Sequence, residues 1–584
     1  MKSSVGRLAA FLALCASAQA FTLDDIHFWV GEGPHCAGIV LDWSQNDQPA
    51  LVWGYRWSGD TPPTLDIALR AIAAEDNRLS LLAPDGDYGM SLYALGYDLA
   101  DSGAVFQFDY NGGDVVALSS DTDSLVAGGW YSGYWCQWVC ASGTTYTAPT
   151  ADDYGWGATY TDLEDQSWHV FQFSRPEWGW DFHAPAEPAA ATSPYACDVV
   201  AATYETDPGF NQWTNASAVL GAPSRRAAAT DYGPGGPVSP ANTAFGTDQV
   251  LSLVHGYDWD TDVETPGSVT VRFDHPVVDD PLNPYGLDFI VFGNALLVAG
   301  GYFDPTNDPT RTAFKTASCI AEPGLVEVSQ DGLHWFAFSS GPYADTWAPT
   351  LGFQYDPAHA DASLFAENQW WGAPTDATRP LDPALTAASF KGQTLAQVAQ
   401  LYEGSAGGTG FDIGGFNLPR DARGRKWIQY VRVTSLTTSD DAEWTEVDAF
   451  ADVAPATSYD LWTRAHYTAA ERVAGNASES VPCANGRSNL ENAALGLAPD
   501  AVSDAALRIA DFRLGEGVAT FAVDGAPNAF DLVRVASSAT LTTSKRAWTS
   551  RLPVYRGIDT QGRALYEVPL DSTAAAAFFK LHLE

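Results

Sequence analysis

Positive charge is scarce in this chain. Its 584 residues carry 30 Lys and Arg against 72 Asp and Glu, a formal net charge of −42. So acidic a surface repels phosphate backbones, which excludes nucleic acid and anionic membrane faces as partners and leaves divalent cations and neutral ligands open. The plainest meaning of the acidity is solubility in a salty or calcium-rich medium. Long apolar runs are missing as well: beyond the first twenty residues nothing approaches the roughly 18 consecutive apolar residues of a membrane-spanning helix. Catalytic signatures are also absent. There is no Gly-x-Ser-x-Gly elbow, no His-Glu-x-x-His helix and no Gly-rich phosphate loop, and the 10 His are scattered. Acid pairs occur throughout so acidic a chain, so glycoside processing by two carboxylates stays as an alternative with no positive support.

The N-terminus carries Lys2 and Arg7, the apolar run Leu8 to Leu14, and the small-residue site Ala18-Gln19-Ala20. This is the pattern of a secretory signal, so residues 1–20 are expected to be removed and the mature chain to begin at Phe21, outside the cytoplasm or on the cell surface. Without Lys2 and Arg7 the balance is 28 basic against 72 acidic residues. Cys15 lies within the signal, and Leu14 fits poorly where a lipoprotein needs a small residue. Cys36, Cys136, Cys140, Cys197, Cys319 and Cys483 remain, an even number that favours disulfides in an exported chain. Cys136 and Cys140 on one extended strand would stand about 13 Å apart, too far to bridge each other.

Pro- and Ala-rich residues 184–196 are expected to be a linker, and Ala454 to Ser458 a second break. Together they divide the chain into units at about 21–183, 197–453 and 459–584. Short alternating runs dominate, as at Val269 to Phe273, Val326 to Ser329 and Ile428 to Val433, between dense turn signals. The chain is expected to be mainly β, with helices over 64–74 and from Asn489 to Leu497.

The first unit holds an ordered set of signals: Thr64 to Ile72, Ala94 to Leu99, Gly133-Tyr134-Trp135-Cys136-Gln137-Trp138-Val139, Gly157 to Tyr160, and Leu163 to Phe171. In order and pattern this resembles the transcobalamin-like C-terminal domain, the β-rich half of vitamin B12 carriers that recurs as a bacterial export module. It departs where an Asp-Gly-Asp type turn is expected and Glu164-Asp165-Gln166-Ser167 stands. The resemblance implies a small α+β domain with a corrinoid-type ligand, an outer-membrane receptor or the cell envelope as a partner, and Trp135 as the leading ligand contact. Tyr97, Trp130, Tyr134 and Trp138 join it as flat side chains suited to a corrinoid or a glycan. The carriers close their site with a separate helical barrel, for which this chain has no long helical stretch, so a ligand here needs a second wall.

In the second unit, Ala218 to Pro223, Leu287 to Ala295, Val326 to Trp335 and Trp444 to Phe450 form another ordered set. With its VEVSQDGLHW hairpin, turning at Asp331-Gly332, it resembles galactose-binding-like, discoidin-type jelly-roll modules of bacterial surface proteins. That fold serves sugars, lipids, proteins or none of these. Asp412, Glu446 and Asp448 offer hard oxygen donors for a structural calcium. Trp370-Trp371 in the 340–400 insertion is a second aromatic platform. The last unit, with Asn489-Leu490 to Leu497, resembles a C-terminal module of exported proteins from Verrucomicrobia-like bacteria, and implies surface display. The expected whole is a mainly β, multidomain chain: a small α+β transcobalamin-like domain, a β-sandwich of jelly-roll type and a small β-rich C-terminal domain. It is expected to be a non-catalytic surface protein that binds a small ligand, corrinoid first, with carbohydrate binding or adhesion as the alternative.

Overall fold

A computed structural model of the protein describes residues 20–45, 48–87, 89–99, 106–108, 115–117, 124–129, 132–155, 157–178, 181–228, 236–244, 246–258, 263–298, 308–357, 372–421, 424–436, 444–503, 506–515, 518–524, 532–538, 549–551, 554–558, 563–569 and 578–583. The fold is mainly β and built from several sheets. None of the helices among the described residues is long and apolar enough to cross a membrane.

The first unit is organised by a mixed six-stranded sheet. His35–Asp42 pairs antiparallel with Ala50–Trp57 and parallel with Ser167–Ser174, which in turn pairs antiparallel with Tyr134–Val139. Because side chains alternate along a strand, each strand supplies both faces. On one face Ile39, Leu41, Trp53, Phe171 and Phe173 pack against the helix Leu65–Glu75. That helix presents Leu65, Ala68, Leu69 and Ile72, an i, i+3, i+4, i+7 stripe. On the other face Val40, Val52, Cys136, Trp138, Trp168 and Val170 are covered by Leu23 and Ile26. The sheet is therefore dry on both sides. Gly38 is required beneath Trp168, since a Cβ there would stand 2.3 Å from the indole ring.

The second unit contains two antiparallel sheets around one core. Five strands run in the order Asp198–Thr203, Ser268–Val278, Trp427–Ser435, Gly324–Ser329, Phe336–Ala337, and three in the order Thr409–Phe411, Phe289–Phe292, Ala449–Asp452. Val269, Val271, Phe273, Val326, Val328, Val431 and Val433 of the larger sheet meet Phe289, Val291, Phe411 and Phe450 of the smaller. Between Gly324–Ser329 and Phe336–Ala337 the turn passes through Gly332 at φ +71°, a conformation that costs glycine nothing.

Phe289-Ile290-Val291-Phe292 is buried throughout. An unbroken apolar strand needs cover on both faces, and here the covers belong to different units. Phe289 and Val291 enter the second unit's core, while Ile290 and Phe292 join the core of the first, as do Ala449, Ala451 and Val453. The two units thus share one continuous apolar interior. The 184–196 segment, expected as a linker, is not a free tether. Pro188–Ala190 pairs parallel with Ala50–Trp57, and Ala191 and Tyr195 are buried in the shared core. Small residues and proline fit there because the strand lies at a sheet edge, where a missing N–H is harmless. An ion pair and a hydrogen bond cross the same boundary: Arg225 with Glu75 at 2.6 Å, and Asn77 donating to Asp376 at 3.2 Å.

The last unit begins with the helices Ser458–His466, Ala469–Val473 and Asn489–Leu495, followed by strands. Ser488 caps Asn489–Leu495, accepting from Glu491 N while Glu491 accepts from Ser488 N, and Gly496 ends the helix in the left-handed region. Arg472 binds Glu403 at 2.7 Å and Asp382 at 2.9 Å, fastening these helices to the second unit.

All six cysteines from Cys36 to Cys483 are unpaired, contrary to the disulfides expected from an even count. Cys136 and Cys140 lie in the apolar cluster of the first sheet, with Cys36 at its edge. Burial pushes their thiols up, to about 11 and about 12. They act there as small apolar side chains.

Candidate functional site

The aromatic residues expected to face a ligand are mostly core. Tyr97 is 1% exposed, set edge-on to Trp53 and tilted against Trp43, with the Arg78 guanidinium 5.4 Å from its ring centre. Trp135 is half-buried and packs edge-on against Trp43 and Phe173. Trp138 lies on the opposite face, 6% exposed, edge-on to Tyr154 and Phe182. Tyr134, at the start of its strand, is 37% exposed, the most open of these four. Trp130 falls outside the described residues, as do Trp370 and Trp371. The strand pattern that made Trp135 and Trp138 conspicuous sends them to opposite faces, and each face is covered by its own layer.

The three acids expected at a calcium site have different partners. Asp412 accepts from Gly414 N at 2.6 Å within its own turn. Asp448 is buried and accepts from the amide and hydroxyl of Ser224, and burial pushes its carboxyl up to about 7. Glu446 takes the hydroxyl of Ser252 at 3.0 Å and stands with Glu322 and Asp345, their ligand oxygens within 4.8 Å of one another. Asp345 is held by the amides of Ala295 and Glu446, at 2.9 and 3.0 Å. Burial, then the charge of Glu322, pushes its carboxyl up. Such an oxygen set has the chemistry of a hard-cation site, and a shared proton relieves the same repulsion.

A cleft of about 600 Å3 opens where the first and second units meet. From the first unit and the connecting segment come Arg78, Leu99 and Thr192, and from the second His275, Pro276, Val278, Trp427 and Asp452, with Arg420, Asp421 and Arg425 alongside. Its floor is pinned by charge. Asp76, the residue that ends the helix Leu65–Glu75, takes Arg78 through Nε at 2.8 Å and Nη2 at 3.0 Å, and the indole N–H of Trp53 at 2.9 Å. Arg78 also donates to the carbonyl of Thr192 at 2.6 Å.

His275 donates Nδ1–H to Asp274 and Nε2–H to Asp452, both at 2.8 Å. Asp274 also takes Nδ1 of His27 at 2.9 Å and the Ser193 amide at 3.0 Å. Residues from the first unit, the connecting segment and the second unit thus converge on one carboxylate. Burial by itself would lower the His275 pKa, but the bonds to Asp274 and Asp452 outweigh it and raise it to about 9. Burial likewise opposes ionisation of Asp274, and the two histidines hold that carboxyl well below its usual range. Each ring nitrogen of His275 faces a carboxyl oxygen, which favours the imidazolium, while burial pushes the Asp452 carboxyl up.

At the cleft's mouth Arg425 donates Nε–H to Asp421 and Nη1–H to Asp280, each at 3.1 Å, while the exposed Arg420 donates to the carbonyl of Gly424. Sequence reasoning singled out none of these. One signal was legible: Arg420-Asp421-Ala422-Arg423-Gly424-Arg425 places three of the chain's 30 basic residues within six positions. His275 gave no such sign, because its partners lie at 274 and 452.

Fold and cleft together define a β-rich protein with a charged recess of about 600 Å3 between two units that share a core. No protein-family model, curated protein or solved structure matches the chain.

Proposed function

We propose that the chain is an exported, non-catalytic binding protein that holds a small polar ring ligand, a carbohydrate ahead of a corrinoid, in the cleft between its first two units. One observation carries this reading: the cleft draws its walls from both units, the second wall that the first unit's signals required. Its volume of about 600 Å3 falls within the roughly 300–1,000 Å3 of small-molecule sites. A sugar of one or two rings fits that space better than a whole corrinoid with its nucleotide tail. The burial of Tyr97 and Trp138 and the packing of half-buried Trp135 also favour carbohydrate, since they remove most of the flat wall a corrinoid would use. Trp427, half-buried at the cleft, supplies a ring face of the kind sugars stack on. The two lining acids are each held in an ion pair, Asp421 by Arg425 and Asp452 by His275, which supports binding over glycosidic acid–base chemistry.

In this reading the second unit is the galactose-binding-like jelly roll, and the first supplies a wall rather than a complete carrier. A structural calcium belongs with Glu322, Asp345 and Glu446 rather than with Asp412 and Asp448. The test uses the full mature chain on a glycan array, with a parallel cyanocobalamin titration followed by tryptophan fluorescence. Glycan retention that Trp427→Ala abolishes is the expected result, with no saturable response to cyanocobalamin. Indifference to every glycan removes the reading. For the calcium, melting in calcium chloride against chelator is expected to show an upward shift that Glu446→Gln abolishes, and equal midpoints discard it.

A further inference from the structure

The cleft is cation-rich in a chain where acids outnumber bases by more than two to one. Three arginines and the His275 imidazolium line it, against two acids. These cations divide into two kinds. The inner pair is spent, because both nitrogens of His275 donate to carboxylates and Arg78 is shared between Asp76 and Thr192. The outer pair is not. Arg425 bonds through Nε and Nη1 and Arg420 through Nη1 alone, so Nη2 of each guanidinium is unengaged among the described residues. The Nε–Nη2 edge of Arg420 is suited to a carboxylate or another planar anion, bound by paired, charge-assisted hydrogen bonds, and Nη2 of Arg425 adds a single further donor.

From this we infer that the cleft's ligand is a sugar acid: a monosaccharide-sized ring against Trp427, with its carboxylate on Arg420 and Arg425. This rests on the proposed binding role and sets the ligand's chemical class. The chain's own field selects among anions. A net charge of −42 raises the cost of approach in proportion to ligand charge, so a singly charged carboxylate is admitted far more readily than a phosphate dianion or a polyphosphate. Leu99, Pro276 and Val278 give the recess an apolar side for the ring's C–H face, while Asp421 and Asp452 accept from its hydroxyls.

The test is calorimetry on the full mature chain at pH 7 with sodium D-glucuronate, a short oligo-uronate, D-glucose and sodium sulfate. Glucuronate or the oligo-uronate is expected to bind at least tenfold more tightly than glucose, and which of the two is tighter distinguishes a free sugar acid from a polysaccharide end as its source. Arg420→Gln is expected to cost tenfold or more of that affinity while leaving the melting temperature unchanged, since Arg420 is exposed and bonds only its own loop. Arg425→Lys, which keeps the charge but loses the fork, tests the second contact. Glucose binding equal to glucuronate, sulfate binding as tight as glucuronate, or an Arg420→Gln variant of undiminished affinity overturns the sugar-acid assignment. If neutral glycans bind and uronates do not, the inference fails while the cleft remains a binding site. If nothing binds, both fall.

Discussion

The interior of the first sheet and the junction between the first two units each bury a histidine, and the two respond in opposite ways. His169 is 1% exposed, with the Ser167 hydroxyl at 2.9 Å from Nε2 and no partner at Nδ1 among the described residues. Burial lowers its pKa to about 4. His275 is half-buried, its side chain 15% exposed, and two carboxylates raise its pKa to about 9. The difference lies in whether the fold delivers a counter-charge to a buried ring. In the sheet it delivers apolar neighbours, and the aromatics there serve packing. At the junction it delivers acids and arginines from distant parts of the chain, and a recess with chemical character results.

The largest effect that should separate the two regions comes from the packed one. Tyr97→Ala is expected to cost about 3–5 kcal/mol in urea unfolding, the range for emptying a large aromatic site, and to leave ligand affinity in the folded protein unchanged. Loss of binding with full stability would return the ligand to the first unit's aromatic cluster.

The histidines come next, with opposite signs. The raised pKa of His275 stabilises the fold fully below about pH 6.5, and that contribution is lost as pH rises towards 9. The sign follows from a folded-state pKa that lies above the unfolded value. His169 does the reverse. Its contribution is present above about pH 6.5 and is lost as pH falls towards 4, because only the unfolded chain takes up the proton. Urea midpoints measured from pH 4 to 10 should fall on both sides. His275→Gln should flatten the alkaline limb alone, and His169→Phe the acid limb alone. A single variant that flattened both limbs would show that the regions do not titrate independently. The smallest effect belongs to Arg420→Gln, within about 0.5 kcal/mol of wild type in stability, as for an exposed side chain outside any network. A larger loss would make the cleft's mouth structural.

Much of the secondary structure was legible. The stripe Leu65, Ala68, Leu69, Ile72 marked its helix, Asn489 to Leu497 marked another that runs Asn489–Leu495, and the alternation at 269–273, 326–329 and 428–433 marked strands. The Phe289 to Phe292 run, unbroken rather than alternating, carried the sign of a strand covered on both faces. The cleft was far less legible. Trp135 and Trp138 drew attention because aromatics are large, and size serves a core as well as a site. Glu446 was singled out with Asp448, yet its neighbours are Glu322 and Asp345, at positions that gave no signal.

The sequence by itself determined that the protein is mainly β, where its principal strands and helices fall, and that its surface is strongly acidic, because periodicity and charge are local or additive properties. Only the tertiary structure decided which aromatics are buried, that residues 188–190 extend a sheet, and that the first two units share a core. It alone assembled the cleft. Arg78, Thr192, His275, the stretch from Arg420 to Trp427, and Asp452 lie far apart along the chain. Their juxtaposition comes from long-range strand pairing and shared apolar burial, which no short stretch of sequence encodes.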